Sequence, residues 1–152
     1  RDDCRLIVIG DGDYSKCLQE CKGDWGKILF TGRLSKKEVY QFYSIADVGI
    51  MLSKHEQCSF VAIEMMMHGI PIIASDSTGL DEMVSNEVNG YKIKTIENKN
   101  EVSFDTDECC QLLSIALNNN KEEWKSRCRQ RYETNYSLTS MKEKMQTLYK
   151  QL

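Results

Sequence analysis

Short apolar runs alternate with amphipathic stretches along this chain, and that alternation leaves few folds open. Leu6-Ile7-Val8-Ile9, Ile28-Leu29-Phe30, Val48-Gly49-Ile50-Met51-Leu52 and Pro71-Ile72-Ile73-Ala74 are short and almost continuously apolar, and read as buried strands. Between them the pattern predicts helices over 14–22, 36–46 and 59–68, and a short helix near 80–85. Ser35 with Glu38 three residues on has the form of a capping box, and Gly69 stands where a helix end favours a left-handed residue. Gly79 precedes the short helix, and Asn89-Gly90 turns into a strand at 91–94. Helices are predicted again over 105–119, 121–134 and 139–151. Such β-α-β-α order implies an α/β fold, a Rossmann-like parallel sheet with helices on both faces. We expect one domain over 1–152, with a sheet core of about 4–96 and a helical C-terminal tail of about 105–152. The polar stretch 97–105 is the expected internal boundary.

Composition narrows the function classes. The chain has 152 residues and a single proline, 41% hydrophobic and 28% charged, which suits a globular domain rather than a disordered segment. No apolar run approaches the ~20 residues of a membrane span. The chain opens on Arg1-Asp2-Asp3 without an initiator Met, so we expect a piece of a longer protein. Seven cysteines, with no Cys-x-x-Cys pair, fit neither a disulfide framework nor a zinc site, and reduced thiols point to the cytoplasm. Only His55 and His68 are available as imidazole ligands. Residues 121–152 carry eight Lys/Arg against four Asp/Glu, whereas residues 1–120 carry twelve against nineteen. The basic end could touch anionic lipid at the inner face of the membrane, although a solvated helix face is the simpler reading. No dense basic stripe with interleaved aromatics suggests nucleic acid.

In open parallel sheets, ligands bind beyond the carboxyl ends of the strands, which directs attention to loops 10–13, 31–35, 53–59 and 75–80. The most informative segment runs from Glu56 to Glu64, in the string HEQCSFVAIEMMMHGIPIIAS. Glu56 falls in the loop before a helix and Glu64 inside it, so both can face one cleft. The amides of Ser59 and Phe60 lie at the helix N-terminus, where unpaired donors and the dipole suit a diphosphate. Glu64 is placed to grip vicinal hydroxyls such as a ribose diol.

In these features the sequence resembles the C-terminal, donor-binding domain of the GT4-type glycosyltransferases (group 1), which have the GT-B fold. The likeness rests on Glu56/Glu64, on Gly69-Ile70-Pro71, on the strand Ile72 to Ser75, and on Thr78-Gly79-Leu80-Asp81-Glu82. It extends to Gly10-Asp11-Gly12, Thr31-Gly32-Arg33, Ala46-Asp47-Val48, Asn89-Gly90-Tyr91, Tyr136-Ser137 and Leu148-Tyr149. By that resemblance, Glu64 holds the ribose of a nucleotide sugar and Glu56 meets the transferred sugar, as the catalytic-site acid. Ser59 and Phe60 offer amides to the phosphates, with Cys58 beside them. Gly32, Arg33 and Leu34 lie near the base, Thr78 and Gly79 let backbone approach the donor, and Gly10 and Gly12 complete the donor site. The family usually places a small residue, Phe and Gly after the first glutamate; here Gln57, Cys58 and Ser59 stand instead.

The resemblance implies a retaining hexosyltransferase that takes sugar from a nucleoside diphosphate sugar, a UDP-sugar included. Its acceptor would be a glycan, lipid or peptide, as in polysaccharide biosynthesis. It implies no cofactor and no metal requirement, and an acceptor-binding N-terminal domain in the same full-length protein. Family members open this domain with an earlier strand-loop unit carrying Gly-Arg and then Lys. Arg33 and Lys36-Lys37 imitate that pattern one βα unit too late, so we expect a fold truncated at its N-terminal strand-helix unit and inactive alone.

Rival readings are thinner. A UDP-sugar 2-epimerase-like enzyme would need a histidine and acid cluster, and a non-catalytic sugar-nucleotide-binding module is the other alternative. Gly10-x-Gly12 lacks the third glycine of a dinucleotide fingerprint, since position 15 is serine. His55 with Cys58 lacks a third group to orient the histidine. Met65-Met66-Met67, Trp25 and Trp124 read as packing residues.

Overall fold

The computed structural model describes residues 3–21, 23–98 and 101–151. The chain divides into two compact units, Arg1–Ser44 and Ile45–Leu152. In the first, β1 (Leu6–Ile9) pairs in parallel with β2 (Ile28–Gly32), with helix α1 (Ser15–Glu20) and a single 3-10 turn (Trp25–Lys27) connecting them. Helix α2 (Lys36–Ile45) follows. Its capping box forms as expected: the Ser35 amide donates to a Glu38 carboxylate oxygen at 2.8 Å, and the Glu38 amide to Ser35 Oγ at 3.4 Å. The Ser35 hydroxyl, which donates to the same carboxylate oxygen at 2.6 Å, and then the Ser35 amide hold the Glu38 carboxyl below its ordinary pKa.

The second unit is built on a parallel sheet in the order β3 (Gly49–Met51), β4 (Ile72–Ser75), β5 (Gly90–Ile93). Central β4 is buried along its whole length, as its unbroken Ile-Ile-Ala run requires. Helices α3 (Phe60–His68), α4 (Thr78–Met83) and α5 (Thr106–Asn118) pack on it. The core gathers Ala62, Met66, Ile72, Ala74, Leu80, Met83 and Val84, with Tyr132 and Tyr136 packed against it. Met66 is fully buried, as expected of the methionine run. Helix α6 (Lys121–Asn135) lies against α3, and α7 (Leu138–Lys150) follows it. Trp124 of α6 is buried edge-on to Tyr91, whereas Trp25 is half exposed. Among the described residues, no helix is long and apolar enough to cross a membrane.

Three local expectations are corrected. Within the polar stretch 97–105 and just before it, β6 (Thr95–Asn98) pairs antiparallel with β7 (Glu101–Phe104). Charged and amide residues masked that hairpin, because its apolar positions are few. Helix α1 is shorter than the predicted 14–22. Helix α4 begins at Thr78 rather than after Gly79, so Gly79 is a helical residue.

All seven cysteines are free thiols. Cys128 is fully buried, and burial pushes its pKa up to about 12, which keeps the thiol protonated and inert. In the native protein, alkylation is expected to reach exposed Cys17, Cys58 and Cys110 first and Cys128 only after unfolding. Mass spectrometry of labelled peptides checks this; rapid native labelling of Cys128 would contradict its placement.

Candidate functional site

The site is built at the carboxyl end of β3, where loop 53–58 leads into α3. Ser59 is the N-cap of that helix, with extended backbone (φ −80°, ψ 108°), and its Oγ accepts the Ala62 amide at 3.2 Å. That leaves the amides of Phe60 and Val61 without an intrahelical acceptor, at the positive end of the helix dipole. At the other end, Gly69 adopts φ 79° and its amide closes on the Met65 and Met66 carbonyls, as a left-handed C-terminal residue does.

Loop 53–58 belongs to no helix or strand, yet its carbonyls are held from neighbouring elements. Ser75 Oγ, at the end of β4, donates to the Ser53 carbonyl at 2.6 Å. The Glu56 carbonyl accepts two hydrogen bonds from the start of α4, one from the Gly79 amide at 2.8 Å and one from Thr78 Oγ1 at 3.1 Å. A Cβ at Gly79 would stand 2.2 Å from the Gln57 carbonyl oxygen and 2.5 Å from that of Glu56. Glycine is therefore needed there because the Glu56-Gln57 backbone presses against α4.

His55, Glu56, Gln57, Cys58, Phe60 and Thr78 surround an open cleft of about 680 Å³. Glu56 is half-buried, whereas Cys58, Phe60 and Thr78 are exposed. Glu64 is half-buried and does not line this cleft, in contrast to the expectation that both glutamates face it. It lies one turn beyond Phe60 on α3, so it adjoins the cleft wall on the same helical face. Its carbonyl oxygen is 2.8 Å from His68 Nδ1.

Behind the loop, Arg131 of α6 donates to the Glu82 carbonyl of α4 at 2.9 Å. Burial pushes the Tyr136 phenol above its ordinary range; Arg131 offsets part of that, and the charges of Glu82 and Cys58 add to it.

The remaining expected residues belong to the first unit. Gly10 follows β1 with φ 137°, and its amide donates to the Gly32 carbonyl at 3.0 Å. Gly12 is exposed and its amide meets the Asp11 carboxylate at 3.1 Å. Gly32 ends β2 at φ 67°, followed by exposed Arg33 and half-buried Leu34. His55 and Gln57 were not among the residues expected at the donor site; their place beside Glu56 was the available signal. Among the described residues, no three His, Cys, Asp or Glu side chains are gathered to hold a metal ion.

Known proteins give this geometry a context. A family model described as "Glycosyl transferases group 1" matches residues 1–103. An uncharacterized glycosyltransferase of Methanocaldococcus jannaschii is 32% identical over 93 residues, 59% of this chain and 24% of that protein. The sulfoquinovosyl transferase of Arabidopsis thaliana is 31% identical over 88 residues, 58% of this chain and 17% of that protein. The chain thus matches about a quarter or less of the length of these relatives. Among solved structures, Anabaena HepE in complex with UDP-glucose aligns with a TM-score of 0.75 at 18% identity, over 97% of this chain and 41% of that one. The C-terminal domain of a glycosyl transferase group 1 family protein from Francisella tularensis aligns with a TM-score of 0.70 at 23% identity, over 90% of this chain and 72% of that one. At these identities the likeness establishes a shared glycosyltransferase fold, an α/β architecture with Rossmann-like parallel strands.

Proposed function

As the chain belongs to the glycosyl transferases group 1 family, we propose that it is the donor-binding half of a retaining glycosyltransferase. In this reading it binds a nucleoside diphosphate sugar, and an N-terminal domain of the intact protein brings the acceptor. The sugar is a hexose type, and the acceptor is a glycan, lipid or peptide in a cytoplasmic setting. The observation that carries the reading is the cleft at the N-terminus of α3, with Glu56 on its wall and Glu64 one turn behind Phe60.

Each part has a chemical task. The free first-turn amides of α3 and its dipole face the diphosphate, whose charge grows as the glycosidic bond breaks. Glu64 accepts hydrogen bonds from the ribose hydroxyls. Glu56 accepts one from a hydroxyl of the transferred sugar and so fixes the anomeric carbon relative to the acceptor. No residue here is asked to form a covalent bond, and donor binding is expected to need no metal. The complex of Anabaena HepE with UDP-glucose supports a UDP-sugar as the first donor to try.

A thermal-shift panel on the intact protein tests the proposal, with UDP-glucose, UDP-N-acetylglucosamine, GDP-mannose and NAD as probes. One nucleotide sugar is expected to raise the midpoint in a saturable way while NAD does not. No response to any sugar nucleotide would overturn the reading.

A further inference from the structure

We propose that Thr78 is a positioning residue: with the Gly79 amide it fixes the Glu56 carbonyl, and so sets where the Glu56 carboxylate meets the transferred sugar. The inference rests on the donor-binding reading above and assigns Thr78 a role through Glu56 rather than a contact with the donor.

The first turn of α4 has an unusual cap. An N-cap serine normally takes one of the orphan amides of the first turn with its own hydroxyl. Ser77 makes no such bond; its hydroxyl instead lies 3.2 Å from Ser75 Oγ. The Gly79 amide turns to the Glu56 carbonyl, 22 residues or more away in sequence, and Thr78 Oγ1 joins it on the same oxygen. The cap of α4 is thus the backbone of a residue that lines the cleft.

Helix α4 can hold that backbone still because it is itself fixed. Leu80 is fully buried, Met83 nearly so, and Arg131 grips the Glu82 carbonyl from α6. Loop 53–58 has no regular structure of its own, so the orientation of Glu56 is borrowed from α4. The diphosphate site, by contrast, rests on α3 and its Ser59 cap, and does not depend on Thr78. Loss of the Thr78 hydroxyl should therefore separate the two halves of the donor: recognition of the sugar suffers and recognition of the diphosphate does not.

The test compares Thr78→Val, Thr78→Ser and wild type in the intact protein by calorimetric titration with UDP-glucose and with UDP, or with GDP-mannose and GDP where the panel selects guanine. Thr78 is exposed, so Thr78→Val should keep its thermal midpoint within a few degrees. The expected result is a 3- to 10-fold rise in the ratio of the nucleotide-sugar Kd to the nucleoside diphosphate Kd, about one neutral hydrogen bond, with the latter Kd unchanged. Thr78→Ser, which restores the hydroxyl, should return the ratio to within about twofold of wild type. A ratio that does not move, a serine variant that behaves as valine, or an equal loss of affinity for both ligands would overturn the inference. Equal loss would make Thr78 a direct donor contact. A wild-type protein that binds none of the four probes overturns the donor-binding reading and this inference with it, so the two failures are told apart.

Discussion

In the intact protein, Glu64→Ala is expected to raise the Kd for the nucleotide sugar about 10- to 150-fold while the domain stays folded. The loss corresponds to about 1.5–3 kcal/mol, the worth of a hydrogen bond made by a charged group. Glu64 lies inside α3, half-buried, one turn beyond the cleft-lining Phe60. Alanine is the best helix former, so the helix itself should not suffer. The contact of His68 Nδ1 is with the Glu64 carbonyl, which alanine retains. Titration gives the affinity, and the thermal midpoint without ligand controls for folding. Wild-type affinity in Glu64→Ala would remove Glu64 from the ribose site.

A second large effect is expected on stability, from Gly90→Ala. Gly90 opens β5 beside β4, at φ 156°, and stands opposite Ile72 in the register. An added Cβ would lie 1.9 Å from the Ile72 carbonyl oxygen and 2.8 Å from the Ile72 nitrogen and carbonyl carbon. All three are backbone atoms, so no side chain can swing away, and β5 must separate from the most buried strand of the unit. We expect a loss of about 3–5 kcal/mol, at the severe end for single substitutions. The thermal midpoint should fall by roughly 6–20 °C. Gly26→Ala is the control, since nothing lies within 4 Å of a Cβ there. Equal midpoints for the two variants would contradict the described pairing of β4 with β5.

What the sequence made legible was set by signals that repeat or that belong to one element. The apolar runs gave the parallel strands, Ser35 with Glu38 gave the capping box, and Ser59 and Gly69 marked the two ends of α3. Glu56 was singled out because its spacing from Glu64 is a local pattern. The bonds that hold its loop were not found, because Ser75 to Ser53 and Thr78 to Glu56 join polar residues 22 apart with no period to betray them. Gly79 was read as preceding the short helix; in the fold it must be glycine because the Glu56-Gln57 backbone passes over it. Asn89 was read as a turn residue, but it is fully buried: its side chain takes the Ser85 amide at 2.8 Å and donates to the Met83 carbonyl at 3.0 Å. The division between Ser44 and Ile45 left no trace in composition, since it falls at the last turn of α2.

Cys58 offers the most direct measurement of where the nucleotide sugar binds. It is exposed on the wall of the cleft, while Cys110, also exposed, lies on α5 outside it. The intact protein is alkylated with iodoacetamide in the presence of increasing UDP-glucose, or of the nucleotide sugar that the panel selects, and the two peptides are quantified by mass spectrometry. The account predicts that modification of Cys58 slows in a saturable way that tracks ligand binding, while Cys110 keeps its rate. A ligand that binds and leaves the alkylation of Cys58 untouched would contradict the placement of the donor site at the N-terminus of α3.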